Sequence, residues 1–321
     1  MKVFDKQAIM AALDLDLALC RLEEGFLAYS AGLVQVPAVQ SFSFIEANGD
    51  CCIKSAFLES SDTFTVKVSS GFYDNPSKGL ESNDGLMLVM CASTGQPLAL
   101  LADQGWLTCL RTALAGRIVA SQLAPRHVDA IGILGTGVQA RLQLEHLMPV
   151  TACREVVVWG RSSSGLAAYR AFAEALGFAV RAVREPRAVA EAANLIVCAT
   201  PSREALLMSE WVRPGSHITA VGADCAGKQE LDPILVASAQ CIVVDSAHQC
   251  SQYGEVSHAL KVGLVGVSQL TELGTLLAGG APGRENDEQL TLADLTGVAI
   301  QDAQIARCAF ESLQRPACSM V

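Results

Sequence analysis

"DAIGILGTGVQARLQLEHLM", residues 129–148, decides the fold. The apolar run from Ile131 to Leu134 predicts a buried strand, and a helix-like pattern follows from Val138. The turn between them reads G-x-G-x-x-A, with Gly135, Gly137 and Ala140. Gly135 allows a tight turn, Gly137 removes a side chain where backbone must approach a pyrophosphate, and Ala140 permits close packing of helix on strand. The helix start at Val138 and Gln139 offers backbone amides and the positive end of a dipole to phosphate. Alone the pattern is weak; between a strand and a helix it is specific, and it predicts a dinucleotide-binding βαβ unit.

Outward from that unit, "REVVVWG" (154–160), "FAVRAV" (178–183), "ANLIVCAT" (193–200), "HITAVGA" (217–223) and "CIVVDS" (241–246) read as further strands. "SGLAAYRAFAEALG" (164–177) lies among them as a helix. Continuous apolar strands separated by helices predict a parallel sheet covered on both faces. Before it, residues 1–30 read as helix, with Asp5 and Asp14 as N-caps and Gly32 as the stop. "CCIKSAFL", "TFTVKVSSG", "GLMLVMCA" and "PLALLA" then follow with no helix between them, which predicts an antiparallel or mixed sheet. "TCLRTALAGRIVASQLAP" (108–125) and "TGVAIQDAQIARCAFESL" (296–313) read as helices. The expected class is therefore α/β. A Rossmann dinucleotide-binding domain over 126–290 accompanies an α+β domain over 1–125, completed by the C-terminal helix in 291–321.

Composition narrows the function. The net charge of -10, with no basic block, predicts no nucleic-acid partner and disfavours an anionic membrane surface. No apolar run reaches the roughly 18 residues of a spanning helix, and the N-terminus lacks a secretory pattern, so a cytoplasmic protein is expected. The twelve cysteines show no C-x-x-C and the five histidines no ligand spacing. Reduced core thiols and no metal are the expectation.

The cofactor form is read at the end of the second strand of the βαβ unit. An acid there would bind ribose hydroxyls; the stretch is instead "WGRSSSG", with Arg161 followed by Ser162. A guanidinium fork and hydroxyls suit a 2′-phosphate, favouring NADP(H), with NAD(H) as the alternative. Thr200, in "CATPS" after a later strand, suits a loop against the cofactor.

Together "GILGTGVQARLQLEHL", "LRTALAG", "VKVSSGFYDNP", "GADCAGKQELD" and "TGVAIQDAQIA" resemble the ornithine cyclodeaminase/mu-crystallin family, in its order and over nearly the whole chain. The resemblance implies a homodimer acting on a small amino or imino acid. The non-Rossmann domain would hold substrate and form the dimer contact. It also implies that Lys67 is an active-site lysine, that Arg111 grips the substrate carboxylate, and that Asp224 is the catalytic aspartate. Thr112 and Gly297 would lie near the cofactor. Two departures stand out. An arginine expected shortly after a proline near residue 37 is missing from "VPAVQSFSF", and Lys54 on the adjacent strand could replace it. The glutamate that cyclodeaminases place on that strand has Cys52 as its nearest equivalent. Residue by residue, the plain alternatives are a solvated strand lysine for Lys67 and for Lys54, a structural ion pair for Arg111, and a cap for Asp224. Asp302 reads as structural on the last helix, and Glu255 and His258 as part of a helix on the outside of the Rossmann domain.

Three functions compete on these residues. The first is an NAD(P)H-dependent reductase of a 2-imino acid such as 1-pyrroline-2-carboxylate. The second is a cyclodeaminase of a diamino acid, and the third a non-catalytic NADPH-binding protein. The absent glutamate and the NADP-like strand end favour the reductase. Retention of Lys67, Arg111 and Asp224 argues against the non-catalytic reading.

Overall fold

The computed structural model describes residues 1–315. In chain order it begins β1 (Lys2–Asp5), α1 (Lys6–Ala12), α2 (Leu15–Ser30), β2 (Val34–Gln35) and β3 (Gln40–Phe44). Next come β4 (Gly49–Leu58), β5 (Thr63–Phe72), β6 (Asn83–Cys91), β7 (Pro97–Ala102) and α3 (Trp106–Leu123). The following stretch holds β8 (Ile131–Leu134), α4 (Val138–Leu147), β9 (Glu155–Trp159), α5 (Ser163–Ala175), β10 (Ala179–Val183) and α6 (Pro186–Ala192). Then β11 (Leu195–Cys198), β12 (Arg203–Leu207), β13 (His217–Ala220), β14 (Gln229–Leu231), α7 (Pro233–Ser238) and β15 (Cys241–Val244) appear. Last are α8 (Ala247–Gln252), α9 (Glu255–Lys261), β16 (Leu270–Glu272), α10 (Leu273–Leu277), β17 (Thr291–Asp294) and α11 (Ala299–Gln314). The chain divides into two units, residues 1–111 with 299 onward, and residues 112–298. One division falls inside α3, the other at the first residue of α11.

The first unit is built on a seven-stranded sheet in the order β1-β7-β6-β5-β4-β2, with β3 also paired to β4. All its pairings are antiparallel except β1 on β7. Alternation along the strands buries one face, including Ala56, Thr65, Lys67, Met87, Val89 and Leu101. α11 covers that face across β4, β5 and β6 and packs on α2. The two helices approach closely at Gly25, where an added Cβ would stand 2.9 Å from Gln304 Cγ. Gln304 in turn donates from Nε2 to the Arg21 carbonyl at 2.8 Å.

The N-terminal thirty residues differ from expectation. They hold a strand and two helices, because Lys2–Asp5 pairs in parallel with Ala99–Ala102, a partner that local periodicity cannot reveal. Both caps do form: Asp5 accepts from the Ala8 amide at 2.8 Å and Asp14 from the Leu17 amide at 3.0 Å. α2 ends through Gly32 at φ +74°, with the Leu33 amide donating to the Ala28 carbonyl.

The second unit is an eight-stranded sheet in the order β10-β9-β8-β11-β13-β17-β15-β16, parallel throughout. β8, β11, β13, β15 and β17 are buried along their whole length, as a sheet covered on both faces requires. This is the doubly wound arrangement expected from the Gly135 turn. Strands β12, β14, β16 and β17 are additional to the sequence reading; they are short, and β12 pairs with β14 apart from the main sheet. The 255–261 helix is corrected: Glu255 is wholly buried rather than on an outer face. It is held there because its two carboxylate oxygens accept the Glu230 and Leu231 amides at 2.7 and 2.9 Å. None of the described cysteines is joined in a disulfide. Among the described residues no helix is long and apolar enough to cross a membrane, and no group of three His, Cys, Asp or Glu could hold a metal.

Candidate active site

In the first unit, register brings a set of charges together. Antiparallel pairing sets Lys54 opposite Lys67 and Cys52 opposite Ser69, so all four side chains share the face under α11. The sequence reading of Lys54 as a solvated strand residue is corrected, since it is buried like Lys67 and Arg111. Asp302, from α11, is the carboxylate between them. Its Oδ2 lies 2.8 Å from Lys67 Nζ, and its Oδ1 accepts from Arg111 Nε at 2.9 Å. Arg111 Nη1 also donates to Gln301 Oε1 at 3.1 Å. Burial pulls the Lys67 ammonium down to about 8; Asp302 opposes that shift, while Arg111 and Lys54 add to it. Burial would raise Asp302, but Arg111 and Lys67 outweigh it and hold the acid below its usual range. Asp302 thus joins the two expected ligand-binding residues rather than serving only the helix. The available signal was an acid within the apolar face of an amphipathic helix.

At the Cys52 position the neighbour of Lys67 is a thiol, 3.2 Å from Ser69 Oγ. It is not a carboxylate that could hold a second ammonium group.

In the second unit, the β8–α4 turn has the form a pyrophosphate needs. Gly135 sits at φ +114°, and a Cβ there would stand 2.6 Å from the Ala199 carbonyl oxygen. Gly137 is the N-cap of α4, with no side-chain hydrogen bond capping the helix, and a Cβ on it would meet open space. Uncapped amides facing an open cradle suit an anion, so these residues fit a dinucleotide. Val138 is half exposed at the helix start, and Gln139 follows it. Thr112 anchors the other side of α4: its carbonyl accepts from Gln143 Nε2 at 3.1 Å.

Arg161 and Ser162 are exposed after β9. The Ser162 hydroxyl caps α5, accepting the Gly165 amide at 3.0 Å. Gly297, at φ +82°, is fixed by Asp245, whose Oδ2 accepts its amide at 2.6 Å and the Val298 amide at 3.1 Å. Sequence reading had given no role to Asp245; an acid ending a fully apolar strand was its signal.

Asp224 lies in the loop after β13, its side chain 55% exposed, 2.6 Å from Lys228 Nζ. Lys228 had no role in the sequence reading; its stem is buried, and its carbonyl lies 2.9 Å from His258 Nε2. Glu230 is buried behind the same loop. Its Oε1 accepts the Thr200 amide and hydroxyl, both at 2.7 Å, and its Oε2 accepts the Gly222 amide at 3.0 Å. Burial pushes Glu230 up to about 7 against those hydrogen bonds.

The comparisons with known proteins agree with this architecture. The model of the ornithine cyclodeaminase/mu-crystallin family matches residues 2–316. A putative dehydrogenase of Rhizobium meliloti is 39% identical over 313 residues, 97% of this chain and 95% of the relative. The solved structure of Thermococcus litoralis Delta(1)-pyrroline-2-carboxylate reductase, in complex with NADH and L-proline, superposes with a TM-score of 0.91 at 29% identity, covering 97% of each chain. An archaeal alanine dehydrogenase dimer with bound NAD gives a TM-score of 0.88 at 32% identity, over 97% of this chain and 95% of that one. With the family model matching residues 2–316 and a relative 39% identical over 97% of the chain, the chain belongs to the ornithine cyclodeaminase/mu-crystallin family.

Proposed function

We propose that this oxidoreductase reduces a small cyclic or linear 2-imino acid, such as 1-pyrroline-2-carboxylate, to the L-amino acid. The observation that carries the reading is the buried Lys67–Asp302–Arg111 cluster with Lys54 beside it, a cationic receptor for a carboxylate. Arg111 and Lys67 bind the α-carboxylate, and Lys54 supplies the positive charge that the missing arginine would bring. Asp224 carries the proton to the imine nitrogen, and its negative charge favours the iminium form. NAD(P)H, held at Gly135, Gly137, Val138, Gln139, Thr112, Thr200 and Gly297, supplies the hydride to the imine carbon. Cys52 beside Lys67 disfavours cyclodeamination, because a thiol gives a diamino acid's second ammonium group no carboxylate partner.

The cofactor is a nicotinamide dinucleotide. The relatives with NADH and NAD bound support NAD(H), whereas Arg161 and Ser162 support NADP(H). The assay for both questions is NADH or NADPH oxidation by the purified protein across cyclic imines, and 2-oxo acids with amines. Arg161→Gln is expected to weaken NADPH about tenfold and leave NADH unchanged, as loss of one charged phosphate contact predicts. Equal loss for both cofactors removes the 2′-phosphate role. Ammonia release from ornithine without net cofactor use sinks the reductase reading in favour of a cyclodeaminase.

A homodimer is part of the proposal. The sheet face of the first unit opposite α11 carries the part-buried Ile53, Phe57, Phe64, Val66 and Leu88. Near its edge Phe42 and Phe44 are 50% and 43% exposed. A partly exposed apolar sheet face bordered by exposed phenylalanines suits an interface. Light scattering on the eluted protein is expected to give twice the chain mass, and Phe42→Glu with Phe44→Glu to give the monomer. A monomeric wild-type protein overturns the assignment.

A further inference from the structure

We propose that Glu230 is a positioning residue that ties the cofactor turn to the loop bearing Asp224 and so sets their spacing. The inference rests on the reductase reading above for the roles of cofactor and Asp224, and on hydrogen bonds alone for the tie itself.

Two loops leave the carboxyl ends of neighbouring parallel strands. The first, after β11, starts at Ala199 and Thr200; the second, after β13, runs through Gly222 to Asp224. In a doubly wound sheet these ends face the dinucleotide. The first loop abuts the glycine turn itself, since a Cβ on Gly135 would stand 2.6 Å from the Ala199 carbonyl oxygen and 3.4 Å from Thr200 Cγ2. Only one residue, Ala223, separates Gly222 from Asp224.

One carboxylate joins the two loops. Glu230 accepts from Thr200 at Oε1 and from Gly222 at Oε2, so its two oxygens act as the two ends of a strut. The contact is tight: a Cβ on Gly222 would collide with the Thr200 carbonyl oxygen and with Glu230 Oε2. The strut has its own foundation. Glu230 sits on β14, and Glu255 holds the strand by accepting the amides of Glu230 and Leu231 at 2.7 and 2.9 Å. Both acids are wholly buried, where burial favours the neutral acid and hydrogen bonds from backbone N–H groups oppose that shift. A neutral isostere cannot replace Glu230. Three donors converge on it, and a glutamine would aim its own donor at one of them.

The test uses the full chain. Glu230→Gln is compared with wild type and with Arg284→Met, a variant that removes a different, part-buried hydrogen-bonding group. Arg284 serves the amino ends of the strands, donating to the Leu123 and Ser216 carbonyls and to Thr291 Oγ1. Hydrogen exchange in the cofactor-free protein reads the Thr200 and Gly222 amides, and fluorescence titration reads NADH and NADPH affinity. In Glu230→Gln both amides are expected to exchange faster. The better-bound cofactor should weaken about tenfold, and kcat should fall further than substrate KM changes. Arg284→Met, assayed at the same margin below its melting temperature, should keep wild-type cofactor affinity and wild-type protection at both amides. Unchanged exchange at Thr200 and Gly222 in Glu230→Gln overturns the strut. Equal loss of affinity in both variants also overturns it, since the effect would then be general destabilisation. If wild type binds neither cofactor, the reductase reading fails, while the exchange measurement still decides whether Glu230 joins the loops.

Discussion

Asp302→Asn is expected to destabilise the first unit by about 3–5 kcal/mol, read as a lower urea midpoint of its unfolding transition. The substitution is nearly isosteric, so lost volume is not the cause. Lys67 and Arg111 are both buried and both pair with this one carboxylate, at 2.8 and 2.9 Å. Removing its charge takes from two buried cations the carboxylate they share, which costs far more than losing a surface pair. A second readout follows from the lysine. Asp302 raises the proton affinity of Lys67 against the burial that brings it to about 8. With Asp302 neutral, Lys67 loses its proton at lower pH. Since Lys67 binds a carboxylate only while charged, release of a probe such as L-proline should begin below the pH at which wild type releases it. A variant with the wild-type midpoint and the wild-type release pH would show that the Lys67–Asp302–Arg111 cluster contributes neither stability nor ligand binding.

Asp224→Asn is the complementary case: turnover should fall about 10²–10⁴-fold with little change in stability. The Asp224 side chain is 55% exposed while Lys228 is buried, so water screens one end of the pair and its contribution is on the order of 1 kcal/mol. Asparagine keeps an acceptor for Lys228 and shape for the loop, but it cannot shuttle a proton. The rate of imine reduction and the thermal midpoint together separate the two roles of this residue. A large loss of midpoint with an unchanged rate per folded molecule would make Asp224 a cap for the 225–231 segment and nothing more. Unchanged rate and midpoint would move the proton step to another group, with Lys67 the next acid in line.

These two variants differ because burial differs, and burial is what local sequence left open. "VKVSSG" placed Lys67 on a strand, yet alternation alone cannot say whether its face meets water or a helix. α11, about 230 residues later in the chain, supplies both the cover and the Asp302 counter-charge. Lys54 was read toward solvent for the same reason, and pairing with Lys67 across β4 and β5 reverses that reading. Glu255 likewise reads, from its own segment, as part of an outer helix. Its burial follows from contacts with β14, which no periodicity records.

By itself the sequence determined the dinucleotide-binding turn, the parallel sheet around it, the caps at Asp5 and Asp14, and the family. Each is encoded locally: glycine where a Cβ would collide or block, an acid where a helix begins, apolar runs where both faces are covered. Only the tertiary structure decided that β1 pairs with β7, that Asp302 sits between Lys67 and Arg111, and that Glu230 spans Thr200 and Gly222. Those arrangements join residues distant along the chain or on different elements. A charge in the interior is defined by its partners, and the partners are chosen by packing rather than by neighbours in sequence.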